Sequence, residues 1–289
     1  MAMDSRYLTR IGELLVFHRL IQSADALTEE NFEDAVMAFQ VKEDILVDGI
    51  VGPETLWRMQ EPWALHNPRS MTVRCDADVV PGIDGFQVVD LRADAAECYK
   101  ALRQEVRELG GTVTSAGGIR SLSDGANANR SAKSMHYTDL AFDLATTSGF
   151  FKPETDPFVI TRGSTSHWNI WCRAPGGDEM ELDSIHWQTW NSGVDLEKPI
   201  LGHFLNFTAL CKKHGFHPIG PRIPFTRNTD RRYLSAEWWH FQANDLLIPK
   251  LSQLGIEMMM IEGYTPLRIR AENEGLWANR KAVFTLDWF

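Results

Sequence analysis

Ser134-Met-His-Tyr-Thr-Asp-Leu-Ala-Phe-Asp143 is the stretch on which the fold turns. Its second half opens the apolar run Ala141 to Leu144, which predicts a buried strand, and an aspartate inside such a run is costly unless paired or metal-bound. His136 and Asp143 lie seven residues apart, a spacing that suits a loop entering a strand better than adjacent turns of one helix. Far downstream comes Glu237-Trp-Trp-His240. Two imidazoles and one carboxylate (His136, Asp143, His240) form a donor set for a catalytic zinc, because three protein ligands leave the fourth tetrahedral position open for water. Glu237, three residues before His240, is placed to serve as a base. The mostly aromatic run from Glu237 to Gln242 reads as a strand or strand edge. Full extension there would point Glu237 and His240 apart, so a twist or bulge near Trp238 is expected; on a helix the two would share a face.

Working outward, 289 residues with 44% hydrophobic and 24% charged side chains fit one large folded domain plus a small one. The formal charge of -10 argues against nucleic acid and anionic membranes as partners, since phosphate binding needs clustered Lys and Arg. No apolar run is long enough to span a membrane. Asp4, Arg6, Arg10 and Glu13 interrupt any signal-peptide core, so synthesis in the cytoplasm and later release, by a holin-type or other non-classical route, is expected. Cys75, Cys98, Cys172 and Cys211 show no Cys-x-x-Cys pair and read as four buried free thiols. The oligomeric state expected by default is the monomer.

The first sixty or so residues read as a helical module. Leu8, Ile11, Leu14, Leu15 and His18 recur at helical spacing, and Phe32, Ala35, Val36 and Phe39 repeat the pattern. Asp48-Gly49 is a turn, and Pro53 suits the first position of a third helix ending near Met59. Ala35-Val-Met-Ala-Phe-Gln40 followed by Val47-Asp-Gly-Ile-Val-Gly-Pro-Glu-Thr-Leu56 resembles the three-helix peptidoglycan-binding module attached to many cell-wall hydrolases. The resemblance covers most of residues 5 to 60 and implies peptidoglycan as a partner, although such a module can also persist as a structural cap. Glu61-Pro62 to Asn67-Pro68 reads as a linker, giving a module at 1–62 and a larger domain at 63–289.

In the larger domain, Ala96, Tyr99, Leu102, Val106 and Leu109 mark a helix stopped by Gly110-Gly111. Thr112 to Ser115 is expected as a short β-branched strand, leading through Gly118-Ile119-Arg120-Ser121 and a polar loop to the first cluster. Residues 146–202, with Trp168, Trp171, Trp187 and Trp190, look like a turn-rich insertion carrying short strands. Phe204, Phe207, Leu210 and Cys211 mark another helix, closed by Lys212, Lys213, His214 and Gly215. His167, His186, His203, His214 and His217 offer no ligand spacing, with His186 and His217 the best placed to line a cleft.

Ser134-x-His136-x-x-x-x-Ala141-x-Asp143 plus Glu237-x-x-His240 resembles the signature of the zinc D-alanyl-D-alanine carboxypeptidase and endopeptidase family, over roughly residues 110 to 245. The resemblance implies zinc held by His136, Asp143 and His240, proton handling by Glu237, and a substrate-steadying role for Arg120 in its Gly-x-Arg-Ser segment. Ser134, Trp238 and Trp239 are the expected substrate contacts. Asp139 stands where the family has Gly, so aspartate must adopt a left-handed conformation, at a cost of order 1 kcal/mol. The expected architecture is α+β: a small three-helix N-terminal module plus an α+β zinc peptidase domain with a central antiparallel sheet. The expected activity is zinc-dependent hydrolysis of peptidoglycan peptide bonds, of the D-Ala-D-Ala carboxypeptidase or endopeptidase type, as a phage-type endolysin or cell-wall hydrolase. The alternatives are an L-Ala-D-Glu endopeptidase of the same family, a non-catalytic wall-binding protein and a cytoplasmic dipeptidase.

Overall fold

The computed structural model describes residues 2–66, 71–125, 131, 133–163, 167–189, 195–226 and 233–285. In chain order these form helices α1 (Ser5–Phe17), α2 (Phe32–Lys42) and α3 (Pro53–His66), then strands β1 (Thr72–Asp76) and β2 (Val88–Arg92) and helix α4 (Ala93–Glu108). Strands β3 (Ala141–Asp143), β4 (Phe158–Arg162), β5 (Trp168–Trp187) and β6 (Asp195–Asn206) precede α5 (Phe207–Lys213), β7 (His217–Pro218), α6 (Ile223–Thr226) and β8 (His240–Gln242). Helices α7 (Leu254–Met259), α8 (Pro266–Glu272), α9 (Glu274–Ala278) and α10 (Arg280–Thr285) close the chain. The fold is α+β, with helices and antiparallel sheets. Among the described residues no helix is long and apolar enough to cross a membrane.

The chain divides into two compact units: residues 1–70, 122–125 and 247–289 form one, and residues 71–121 and 126–246 the other. In the first unit the spacing read from sequence places Ile11, Leu14 and Leu15 of α1 against Leu27, Phe39, Leu56 and Met59 in one apolar core. The turn after α2 is organised by one buried side chain. Gln40 accepts from the backbone N–H groups of Asp48 (3.0 Å) and Gly49 (2.9 Å) and donates to Asp48 Oδ1, the Ile50 carbonyl and Thr55 Oγ1. The Phe-Gln, Asp-Gly and Gly-Pro-x-Thr elements therefore meet in a single inward-facing network that fixes the entry into α3.

Three expectations change here. Helix α3 does not stop near Met59 but continues through Pro62 to His66, so residues 61–66 are helix and not linker. Burial of Gln60 and Ala64 on one face, with Gln60 Nε2 donating to the Leu251 carbonyl, carries the helix past the hydrogen bond that proline deletes. Asn67 and Pro68 lie outside the described residues. The C-terminal segment, expected in the larger domain, groups with the helical unit instead, where Leu251 joins the module core and Phe284 meets Trp57 edge-on at 5.1 Å. Nothing in local periodicity records such a long-range choice.

In the second unit the strands form three small antiparallel sheets, β1-β2, β3-β8-β7 and β4-β5-β6, where one central sheet was expected. Helix α4 buries Ala95, Ala96, Tyr99, Leu102 and Val106, as its spacing predicts, and ends before the left-handed Gly110. The Trp-rich region contains two long strands, β5 and β6, paired as a hairpin with a register shift between Arg173 and Asp178. Trp168, Ile170 and Cys172 alternate inward along β5, and Trp187 at its far end is also buried. Trp190 lies outside the described residues. Thr112 to Ser115 is not a strand; it runs as an irregular buried segment whose Val113 and Ser115 carbonyls accept from Asp78 and Phe86. All four cysteines are free, three buried and Cys98 half-buried.

Candidate metal centre

The candidate metal cluster is built by one short ladder and one tight turn. Asp143 ends β3 and His240 begins β8, and the antiparallel register pairs them directly, so both side chains leave the same face of the sheet. His136 arrives on a single 3-10 turn, Met135–Thr138, capped by Ser134, whose hydroxyl accepts the His136 N–H at 3.4 Å. The turn ends at Asp139 with φ 54° and ψ 26°, the left-handed conformation expected of this aspartate. Asp139 holds that geometry by accepting from Thr72 Oγ1 at 2.6 Å, while its carbonyl accepts the Arg92 N–H. Burial pushes its carboxyl up to about 6, against the opposing pull of the Thr72 hydrogen bond and the Arg92 cation.

The three ligand residues converge. His240 Nδ1 lies 2.9 Å from Asp143 Oδ1, His136 Nε2 lies 3.3 Å from Asp143 Oδ2, and the two ring nitrogens are 3.2 Å apart. Ligand atoms about 2.0–2.2 Å from a tetrahedral zinc stand roughly 3.3–3.6 Å from one another, and one ligand atom from each of the three residues lies within 4.8 Å of the others, so modest side-chain shifts would complete such a site. His136 Nδ1 faces the Gly118 carbonyl at 2.8 Å; donation there leaves Nε2 as the ligand atom. Gly118 is required by close approach, since a Cβ would sit 2.2 Å from the Asp90 carbonyl oxygen. Among the described residues this is the one group of three or more ligating side chains that could hold a metal ion.

Electrostatics favour a charged cluster. Burial opposes ionisation of Asp143, but the two imidazoles outweigh it and hold the carboxyl well below the usual range. Burial likewise opposes the proton on His136, and the Asp143 carboxylate overrides it, raising the imidazole above its ordinary value. A metal ion therefore competes with a proton for this site.

The other expected site residues are placed as follows. Glu237 is left-handed, with φ 52°, and its carbonyl accepts the His240 N–H at 3.3 Å across the turn Trp238–Trp239. This turn resolves the alternation problem: the residues before His240 are not extended, so the twist foreseen near Trp238 is a reversal. Glu237 Oε1 accepts from Arg222 Nε at 2.5 Å. Arg222 was not singled out in the sequence, where only a Pro and Arg rich loop marks it. Arg120 donates its backbone N–H to the His136 carbonyl at 2.9 Å, and its guanidinium lies over the Tyr137 ring at 5.4 Å and reaches the Ser131 carbonyl. Ser134 acts here as the cap that orients His136.

Trp238 and Trp239 do not wall a cleft. Trp238 is fully buried, stacked on Phe150 and donating to the Tyr233 hydroxyl, and Trp239 is 5% exposed and stacked on Tyr233. Their large apolar area goes to the aromatic core behind the site. His217 pairs with Asp245 and His214 with Glu105.

Residues 6–59 match the family described as "Putative peptidoglycan binding domain". That match supports the N-terminal helices as a peptidoglycan-binding module and a role at the cell wall. No curated protein matches the chain, and no solved structure matches it.

Proposed function

We propose that the protein is a zinc-dependent peptidase that cleaves peptide bonds of peptidoglycan. The observation that carries this reading is the meeting of His136, Asp143 and His240, with one ligand atom each within 4.8 Å of the others, in a chain whose first helices match a wall-binding family. His136, Asp143 and His240 would hold a zinc ion, which would supply the Lewis acidity for water activation and carbonyl polarisation. Glu237, released from Arg222, takes the proton from the attacking water and hands it to the leaving amine. Arg120, fixed to the His136 carbonyl through its own backbone, holds the developing oxyanion or a substrate carboxylate, an interaction worth about 3 kcal/mol when preorganised. The N-terminal module raises local concentration on an insoluble polymer. The site of action in this reading is the wall.

One observation favours a second reading, wall binding without catalysis: the carboxylate proposed as base is engaged by Arg222. Mass spectrometry of purified peptidoglycan digested by the zinc-loaded protein, with chelated and Glu237→Ala controls, separates the two. Loss of terminal D-Ala identifies a carboxypeptidase, and opened crosslinks an endopeptidase of the same type. Stem peptides beginning at D-Glu identify an L-Ala-D-Glu endopeptidase. A digest with no zinc-dependent product while the protein still binds the wall refutes catalysis.

A further inference from the structure

Beside the ligand pair, the segment Ala116–Gly117 adds a third rung to the ladder. Asp143 donates its N–H to the Gly117 carbonyl at 2.9 Å, its own carbonyl accepts from Ala116 at 2.7 Å, and Gly117 stands antiparallel to Asp143. Residues directly opposed in antiparallel pairs project from the same face. His240 and Asp143 share the candidate metal-binding face, and Ala116 and Gly117 together oppose Asp143 as a bulge on the neighbouring segment. Gly117 has no side chain and holds φ +113°, a conformation that disfavours any other residue.

The space above it is flanked by Phe86. A Cβ on Gly117 would lie 3.6 Å from Phe86 Cε2 and 3.8 Å from Cδ2, so the ring stands over the backbone one rung from the metal ligand Asp143. Phe86 is nonetheless 59% exposed. Single exposed apolar residues are common and carry no meaning alone. This one is presented by a pinned loop: Phe86 N–H donates to the Ser115 carbonyl at 2.7 Å, Ala77 N–H to the Gln87 carbonyl at 2.8 Å, and Asp84 N–H to Thr147 Oγ1 at 3.1 Å. A rigid loop that holds an aromatic ring in solvent, over a side-chain-free floor beside a metal cluster, has the form of a binding contact.

We infer that Phe86 is a substrate-contacting specificity residue: its ring, seated over Gly117 one segment from Asp143, packs its exposed side on an aliphatic C–H face of the wall fragment. This inference rests on the peptidase reading for the identity of the ligand. The C–H face can come from an alanine methyl of the stem peptide or from the sugar ring attached to it.

The test uses the full-length, zinc-loaded Glu237→Gln protein, with and without Phe86→Ala, titrated calorimetrically with free stem peptide and with disaccharide-linked stem peptide. Partial covering of a phenyl ring predicts about tenfold weaker binding for Phe86→Ala, with zinc content and melting temperature unchanged. Phe86→Trp restores affinity. Loss with both ligands assigns the contact to the peptide, and loss only with the disaccharide form assigns it to the sugar. In the otherwise native protein the same Phe86→Ala change raises KM and leaves kcat nearly unchanged. Equal affinities with and without the phenyl ring overturn the inference, as does absence of binding by the Glu237→Gln protein. If fragments bind in a Phe86-dependent way but the parent cleaves nothing, the catalytic reading fails and the contact stands.

Discussion

Replacing Asp139 by Asn tests whether the buried carboxyl at the end of the His136 turn opposes folding at neutral pH. Asp139 is 3% exposed, and burial raises its carboxyl from an ordinary 3.8 to about 6. The folded chain thus binds this proton more tightly than the unfolded chain. Stability from that difference is fully present below pH 3.8 and is lost as pH rises through 6. The rise corresponds to about 3 kcal/mol at about 1.36 kcal/mol per pH unit, an upper value because buried sites relax and admit water. Asn keeps an acceptor for the Thr72 hydroxyl and tolerates the left-handed backbone, but it does not ionise. Its amide N–H groups can add a constant penalty, so the diagnostic quantity is the change with pH in the stability gap between parent and variant. Urea unfolding in chelator, followed by fluorescence of the buried Trp187 and Trp238, should show the variant gaining 1–3 kcal/mol on the parent between about pH 4 and 7.5. Parallel stability profiles across that range would refute the argument. Asp139→Gly, which relieves the backbone conformation but removes the Thr72 bond, should remain within about 1 kcal/mol of the parent at pH 7.5 once the loss of ionisation is subtracted.

Other outcomes follow from the same structure. Gln40→Leu should destabilise the N-terminal unit by about 2–4 kcal/mol, because the N–H groups of Asp48 and Gly49 lose their acceptor; a melting temperature within a degree of the parent would contradict the network's role. Zinc affinity, measured by competition with a chromophoric chelator, should fall by up to tenfold for each pH unit below the raised value of His136, since the ion displaces a proton there; a flat profile between pH 5.5 and 7 would exclude His136 as a ligand. Gly118→Ala should cost about 1–3 kcal/mol through the clash with the Asp90 carbonyl and should also weaken zinc binding, because the Gly118 carbonyl orients His136; normal zinc affinity would separate the two roles. In a thiol titration of the native protein at pH 7.5, Cys172, pushed up to about 12 by burial, and Cys211, also raised by burial, should stay unreactive while Cys98 modifies first; fast labelling of more than two thiols would show that the second unit opens readily.

Much of this protein was legible in its residues because the informative features are local or chemically rare. Helical periodicity located α1, α2 and α4, and α5 from Phe207 onward, since one apolar face per helix is a property of spacing alone; Phe204, read into that last helix, is in strand β6, where it pairs with β5. An aspartate inside the apolar run Ala141–Leu144, with two histidines at hand, marked the cluster that could hold a metal ion because few other arrangements tolerate such a charge. Asp139 was read as left-handed from its position, and it is. The Phe-Gln, Asp-Gly and Gly-Pro-x-Thr elements pointed to a module whose reason for those residues, the Gln40 network, is itself confined to a short stretch of chain.

Tertiary structure decided what depends on partners distant in sequence. Trp238 and Trp239 look the same in a string whether they line a cleft or fill a core; Phe150 and Tyr233 claimed them for the core. Arg222 is one basic residue among several in its loop until the fold brings it to Glu237. Pro62 signals a helix end locally, yet burial of Gln60 and Ala64 on one face overrides it, and the segment 247–289 joins the helical unit through apolar contacts that leave no periodic trace. Phe86 is one phenylalanine among fifteen in the sequence, and only the bridge between Gly117 and Asp143 brings the backbone it covers next to the candidate metal cluster. Spacing along the chain fixes which side chains share a face, whereas the neighbour across that face is chosen by the packing of the whole unit.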